Sequence, residues 1–379
     1  MLSFRSFLAE AKKVAPGILH IEHPSDTTFD GEDAANHALK TLHGVASGKT
    51  PITRKIDDKM SYQAIRTPEG KVGVKYKGTG STYNFSEADV DAQHGHKPYL
   101  AHPIKALLKH VGKVLPKRPG EYQGGFMSTP ESRSVSRGHI SHTPNTIEYH
   151  TPTESEEGKK LAKSKVSTVI HSELKGPLKQ AHPITSMDEF QSHPDVHQVQ
   201  HVVSPNERKL SAEEKKPIMH HLSQASELMK DHDYSHLAGH EGSLRTYINT
   251  TVTSGDTPSV KGYKEHLTAK HNKAIDSVKM QKTKDAKAHE RDAVLAHVEK
   301  NSGAFKRSLD IHHHMQQATN LLAQALDKKA EGGFGTKIGG EKTGGEGYVG
   351  GGIKIVDRHT FSKENAKRRD QLKAGANNG

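Results

Sequence analysis

The chain has 379 residues, a formal net charge of +11, and neither cysteine nor tryptophan. This length predicts two or three folding units. The absence of cysteine excludes a disulfide framework, cysteine-ligated zinc, an iron–sulfur cluster and a cysteine nucleophile. The positive charge favours polyanionic partners. A mean hydropathy of −0.78, without an apolar run long enough to span a bilayer, predicts no membrane association.

In chain order, residues 1–11 carry apolar side chains on one helical face and predict a short docking helix, not a signal peptide. A helix is predicted over 30–48, with Gly48 as its stop. Two β-prone runs, 52–66 and 71–77, predict a hairpin through a Pro-Glu-Gly turn. The amphipathic segment 100–115 predicts a helix that covers one face of that hairpin.

Further along, the pattern changes twice. Residues 210–330 carry helical periodicity only, clearest at 309–326, and predict a separate helical insertion. Gly332 to Gly335 is interpreted as a flexible linker, because no Gly-Lys-Ser/Thr follows to make a phosphate loop. The basic tail from Ser362 predicts a frayed helix. Short strands are predicted at 122–128, 146–150, 166–172 and 353–356.

The sharpest local feature is the charged stretch 53–59 at the head of the first hairpin. Lys55 stands two residues before Asp57. A lysine in this position can act as a nucleophile if burial and the neighbouring Arg54 and Lys59 hold it partly neutral. On these residues alone a solvated charged turn is the alternative, and charge runs more often have that meaning.

The order of motifs around Lys55 adds a second argument. Lys55-Ile56-Asp57-Asp58 resembles the Lys-x-Asp-Gly signature of covalent nucleotidyltransferases, which include ATP-dependent DNA and RNA ligases and mRNA capping enzymes. The resemblance implies that Lys55 takes the nucleotide as a phosphoramidate and that Asp57 is the motif's acid. Asp58 stands where the family has glycine, which places a side chain at a tight turn.

Three later stretches continue the resemblance. Residues 122–127 are similar to an aromatic-x-Gly-Glu/Asp segment that contacts the ribose or the metal, but Gly125 occupies the acidic position and Glu121 is the nearby carboxylate that could replace it. Glu346-Gly347 resembles a Glu-Gly strand whose glutamate supports metal and nucleotide. Lys354 resembles the lysine of the last motif, which contacts the α-phosphate.

More specifically, the chain resembles a family of tailed-phage proteins, over about residues 1–204 and 331–379. This implies an α+β fold: an antiparallel-sheet, nucleotidyltransferase-like (ATP-grasp-like) core with a helical insertion. The expected division is an N-terminal docking helix and arm at 1–29, the first part of the core at 30–204, the insertion at 205–330, and the second part of the core with a basic tail at 331–379. The stretches 74–78, 143–147, 169–172 and 356–362 follow in the family's order.

The resemblance implies a ligase-like enzyme that forms a lysyl-AMP intermediate and acts on nucleic-acid ends, with ATP and Mg²⁺ as cofactors. Lys75, Lys77 and Lys354 are candidates for phosphate contact, and Glu346 is the candidate metal ligand. Nucleic acid is the expected partner, and the host cytoplasm during infection is the expected location. The departures at Asp58 and Gly125 leave open a catalytically degenerate structural or adaptor component of the phage particle, bound to other phage proteins. A sequence-independent nucleic-acid binder is a third possibility, and the oligomeric state is open.

Histidine is the other outlier, with 29 residues. The pairs His94/His96 and His220/His221 and the run 312–314 invite a zinc interpretation, because neutral imidazole is a common ligand. No His-Glu-x-x-His helix accompanies them. Three consecutive helical residues also point in different directions. We therefore expect solvated histidines on helix surfaces.

Overall fold

The structure is a computed structural model, and it describes residues 21–78, 80–329, 335–338, 340–343 and 345–360. The docking helix predicted at 1–11, the helical tail predicted from Ser362 and residues 332–334 of the predicted linker lie outside the described residues. Within them, helices form where the periodicity predicts them. The helices are α1 (Glu32–Ala46), α2 (Glu87–His94), α3 (Pro98–His110), α4 (Glu156–Lys163), α5 (Ala212–Met229), α6 (Glu241–Ser254), α7 (Val260–Asp276), α8 (Gln281–Lys300) and α9 (Ser302–Lys329).

The strands of the described residues form three sheets. The sheet orders are β1-β13-β14, β10-β8-β4-β2-β3 with β9 added to β8, and β12-β11-β7-β6-β5. Only the β10–β8 pair among them is parallel, so the α+β class with antiparallel sheets is confirmed. The strands are β1 (Thr53–Arg54), β2 (Met60–Arg66), β3 (Val72–Tyr76), β4 (Gly120–Ser128), β5 (Ser134–Ser136), β6 (His139–His142), β7 (Glu148–Pro152), β8 (Val166–Lys175), β9 (Gln180–Pro183), β10 (Val196–Gln198), β11 (Gly335–Ile338), β12 (Glu341–Thr343), β13 (Tyr348–Gly350) and β14 (Ile353–Ile355).

The predicted hairpin and its covering helix are confirmed in the larger of these sheets. β2 and β3 pair antiparallel, and α3 packs its apolar face on them, with Ile104 and Leu107 fully buried beside Tyr62. The first β-prone run is not continuous, however. It divides into β1, which belongs to the three-stranded sheet, and β2, with residues 55–59 as a loop between them. This loop carries the candidate nucleophile.

A second core joins distant parts of the chain. α5 and α9 bury Leu222 and Leu322 in one cluster with Leu42 of α1 and with Tyr348 and Ile355 of the last strands. The helical segment after residue 205 therefore shares its core with the first helix and the three-stranded sheet. No helix of the described residues has the length and apolar character needed to cross a bilayer.

Leu322 offers a test of that shared core. Its side chain is fully buried. Leu322→Ala is expected to lower the free energy of unfolding by about 2–5 kcal/mol, since it removes buried methyl groups and leaves a cavity. Urea unfolding followed by circular dichroism measures the change. Leu178→Ala is the matched control, because that leucine is largely exposed; a loss for Leu322→Ala no greater than the control's would contradict the packing.

A buried charged cluster ties the arm before α1 to α9 and to the last described residues. Asp26 Oδ1 accepts hydrogen bonds from Arg358 Nη1 at 2.8 Å and from His312 Nε2 at 3.0 Å. His312, which is 2% exposed, also stacks on Phe29. The expectation of a solvated histidine is wrong for His312, because the carboxylate of Asp26 and the ring of Phe29 satisfy the imidazole inside the protein.

Candidate active site

The Lys55 loop lies where the three-stranded sheet meets the six-stranded sheet. Its backbone is held at the start by the N–H of Lys55, which donates to the carbonyl of Gly347 at 2.8 Å. The side chain of Ile56 packs against a small apolar cluster that includes Tyr149 and Val169. The Lys55 ammonium forms an ion pair with the carboxylate of Glu346. The structure therefore brings together two residues that are 291 positions apart.

Gly347 makes this approach possible. Its φ is +100°, in the left-handed region, where residues other than glycine are strained. A Cβ at this position would also lie 3.0 Å from the Cα of Val356, which is closer than packed atoms tolerate. A glycine after Glu346 thus lets the backbone turn so that the glutamate faces Lys55.

Asp57 fixes the middle of the loop. Its Oδ1 accepts from Asn145 Nδ2 at 2.9 Å, and its Oδ2 accepts from the backbone N–H groups of Thr146 at 2.6 Å and Ile147 at 2.8 Å. The N–H of Asp57 donates to the hydroxyl of Tyr149 at 2.8 Å. Both carboxylate oxygens are engaged, which favours a role in positioning the loop over direct contact with a nucleotide.

Removing this carboxylate is expected to loosen the loop. Asp57→Ala deletes the acceptor of three hydrogen bonds that are buried or partly buried, and we expect a loss of about 3 kcal/mol in the free energy of unfolding, since bonds to a charged acceptor are the strong ones. Asp57→Asn keeps one acceptor oxygen and should lose less. Chemical denaturation of the two variants measures the difference; equal stability of Asp57→Ala and the unsubstituted protein would contradict this role.

Asp58 covers the glycine that stands where the resemblance expects an acid. A Cβ on Gly125 would lie 2.7 Å from Cγ of Asp58, so the Asp58 side chain occupies the space directly over that strand position. The hydroxyl of Ser61 donates to Asp58 Oδ2 at 3.1 Å. Burial raises the pKa of the Asp58 carboxyl to about 6, and the neighbouring Asp57 and Glu346 carboxylates add to the rise, against the effects of Ser61 and Lys55.

Glu121, the other carboxylate considered for this place, lies elsewhere. It pairs with Ile65 near the opposite end of β4, four residues from Gly125, which is about 13 Å along a strand. Its carboxylate accepts from Lys179 at 2.6 Å and from the hydroxyl of Tyr83 at 3.2 Å. Asp58, not Glu121, is therefore the acid that the fold brings to Gly125.

Two further lysines face the Lys55 loop. Lys77 follows β3, and its N–H donates to the carbonyl of Ser61 at 3.1 Å. Lys354 lies on β14, opposite Val349. Burial lowers the pKa of both ammonium groups; Asp58 opposes the shift at Lys77, and Lys55 adds to it at Lys354. Lys75, the remaining candidate for phosphate contact, instead places its Nζ 4.5 Å above the ring of Tyr83.

The cations found near the Lys55 side chain differ from Arg54 and Lys59, which the sequence predicts as its neighbours. Arg54 forms an ion pair with Glu207, which neutralises its charge, and Lys59 is exposed. Lys354 lies close enough to Lys55 for the charge of Lys55 to lower the pKa of the Lys354 ammonium. Its approach depends on the pairing of β13 with β14, a contact that no local pattern around Lys55 contains.

Sequence reasoning did not single out His171 as a site residue. It lies at an irregularity where β8 pairs with β4, between Ser172 and Ile170, and its Nδ1 is 2.9 Å from the Ser172 hydroxyl. Burial lowers the pKa of His171 to about 3, with further lowering by the charges of His201, Lys77 and Lys55. A neutral imidazole thus stands beside the two lysines. The only sequence signal was its place in the 169–172 stretch.

The donor set suits a polyanion with a hard cation. Carboxylates Glu346 and Asp58 lie beside Lys55, and Mg²⁺ is commonly held by one or two carboxylates together with phosphate oxygens. Among the described residues no group of three or more histidines and carboxylates is arranged to hold a metal by itself. Burial raises the pKa of Glu346, whereas the adjacent Lys55 lowers it.

The fold and the site define an α+β protein with a lysine–carboxylate centre between two antiparallel sheets. The chain belongs to DUF6267, a family of unknown function, whose model matches residues 19–369. No curated protein and no solved structure matches the chain.

Proposed function

We propose that this protein is a phage-encoded, ATP-dependent nucleotidyltransferase of the polynucleotide-ligase type, which forms a lysyl-AMP intermediate on Lys55 and acts on nucleic-acid ends. The observation that carries the proposal is the convergence of Lys55, Glu346 and Lys354 at one place. These residues come from separate motifs whose order in the chain matches the nucleotidyltransferase order.

The chemistry can be assigned to the residues of the site. The neutral amine of Lys55 attacks the α-phosphorus of ATP, the bond from that phosphorus to the bridging oxygen of the β-phosphate breaks, and pyrophosphate leaves. Lys55 must first give up a proton, which passes to solvent, and the Glu346 carboxylate in contact with its ammonium holds the amine in place.

The remaining cations stabilise the charge that develops on the phosphates. Lys77 lies near Asp58 and Lys354 lies near Lys55, and both can donate to non-bridging oxygens. Mg²⁺, held by Glu346 and phosphate oxygens, would neutralise further negative charge. In the second step the AMP passes from Lys55 to a 5′-phosphate end. The net charge of +11 agrees with a nucleic-acid substrate.

Labelling with ATP tests the proposal. After incubation of the full-length protein with Mg²⁺ and ATP labelled at the α-phosphate, we expect the label on the peptide that contains Lys55. ATP labelled at the γ-phosphate should leave the protein unlabelled, because that phosphate departs in pyrophosphate. Absence of label from both nucleotides would contradict the enzymatic function.

One observation favours a second function. The Lys55 ammonium is paired with Glu346, and such a pair can also serve as a static contact in a protein that has lost activity. The alternative is a catalytically degenerate fold that serves as a structural or adaptor component of the phage particle. Mass spectrometry of purified virions separates the two, because a structural component must be present in particles.

A further inference from the structure

We propose that Asp58 supplies a second carboxylate for the Mg²⁺ of Mg·ATP. Its side chain, which extends from the Lys55 loop, fills the space that a side chain at position 125 of β4 would otherwise occupy. This inference rests on the proposed function. It treats the two departures from the nucleotidyltransferase pattern, the extra acid at 58 and the missing acid at 125, as one exchange between neighbouring positions.

The first argument is steric. Gly125 is buried in β4, between Ser61 of β2 and Val169 of β8. A side chain there would have to displace the Asp58 carboxylate, because its Cβ would lie 2.7 Å from Cγ of Asp58. The acid at 58 therefore requires a residue without a side chain at 125, since one space accommodates only one carboxylate.

The second argument is the surroundings of the carboxylate. The Asp58 side chain lies close enough to Lys55 and Glu346 for their charges to act on it, whereas Asp57 has both oxygens engaged by residues 145–147. Asp58 forms hydrogen bonds with the Ser61 hydroxyl, at 3.1 and 3.3 Å. Two carboxylates beside the nucleophile, together with phosphate oxygens and water, form the ligand set that Mg²⁺ prefers.

The experiment is a binding measurement that needs no turnover. Titration calorimetry of the full-length protein with α,β-methylene-ATP, with and without Mg²⁺, gives the gain in affinity that Mg²⁺ provides. Asp58→Asn keeps the shape of the side chain and removes its charge. We expect it to reduce that gain about tenfold and to leave Mg²⁺-free binding and the thermal unfolding temperature unchanged. Glu121→Gln, on the same strand as Gly125 but away from the site, should match the unsubstituted protein.

Exchanging the residues at positions 58 and 125 tests whether the two positions share one space. Gly125→Asp alone forces two carboxylates together and should lower the unfolding temperature. Asp58→Gly alone should lose the Mg²⁺-dependent gain. The double variant, Asp58→Gly with Gly125→Asp, should recover both, whereas a merely structural aspartate would give additive losses.

Four outcomes overturn the inference. An unchanged Mg²⁺-dependent gain in Asp58→Asn removes the metal role, and a double variant as weak as Asp58→Gly removes the exchange. Equal weakening with and without Mg²⁺ would point instead to a contact with the ribose. Failure of the unsubstituted protein to bind the analogue would overturn the proposed function as well, so the two failures are distinguishable.

Discussion

Replacing Lys55 with arginine is expected to abolish labelling by ATP while leaving the protein folded. Arginine keeps a positive charge that can pair with Glu346, but its guanidinium does not lose a proton in proteins and cannot act as the nucleophile. We expect a loss of more than about a thousandfold in the rate of label incorporation, as for other deleted nucleophiles. Intact-mass spectrometry after incubation with Mg²⁺ and ATP measures it.

The controls follow from the same loop. Lys59→Arg changes an exposed lysine four residues away and should retain labelling. Lys55→Ala should also lose it, with a modest loss of stability, because the partly buried Glu346 is left without its cation. A mass gain of one AMP that persists in Lys55→Arg would show that another residue is modified and would contradict the assignment of Lys55.

The second large effect is a steep loss of stability in mild acid. Burial lowers the pKa of His142 to about 3 and those of His201, His232 and His240 to about 4, from an ordinary value of 6.5. Between pH 6.5 and about 4 the unfolded chain binds protons at these positions and the folded chain does not. Stability therefore falls as the pH falls, each histidine contributing up to about 1.4 kcal/mol per pH unit. Urea unfolding at pH 7.5 and 5.5 measures the change.

His142 allows this effect to be isolated. Its ring is buried and stacks on Tyr149 with centroids 5.6 Å apart. Neither ring nitrogen has a hydrogen-bond partner among the described residues. His142→Phe keeps an aromatic ring and removes the titratable group, so the slope of stability against pH should become shallower. His289→Gln, at an exposed position, should leave the slope as it is; an unchanged slope in His142→Phe would contradict the assignment.

The helices were predictable where apolar residues recur with the helical period, because that pattern does not depend on which element the helix packs against. The stripe at 309–326 has the period of a helix whichever element covers it, and α9 contains it. The Gly-rich stretch was less tractable. Residues 335–338 form β11, which pairs with β7, so the linker interpretation does not hold for Gly335. Glycine lowers the β propensity of a segment. The strand β11 forms here because it pairs with the edge of β7.

The candidate site was predictable in its members more than in their arrangement. Lys55, Glu346 and Lys354 stand in motifs with recognisable neighbours, and the structure brings them together. The relation between Asp58 and Gly125 is a contact between a loop and a strand, 67 positions apart in the chain, and neither position carries a local signal of the other. The sequence also does not predict which histidines are buried, because an imidazole is stable both in water and in an interior where its polar atoms have partners.

The distance along the chain between Lys55 and Glu346 affects how the protein is made. During synthesis the Lys55 loop leaves the ribosome long before the strand that carries Glu346, since 290 residues lie between them. The nascent chain thus has an unpartnered lysine and no carboxylate opposite it until the last hairpin has docked. Contacts of such wide separation form late in folding. On a nascent or shortened chain that ends before Glu346, Lys55 has no Glu346 carboxylate opposite it, so the site is complete only once the polypeptide has closed on itself.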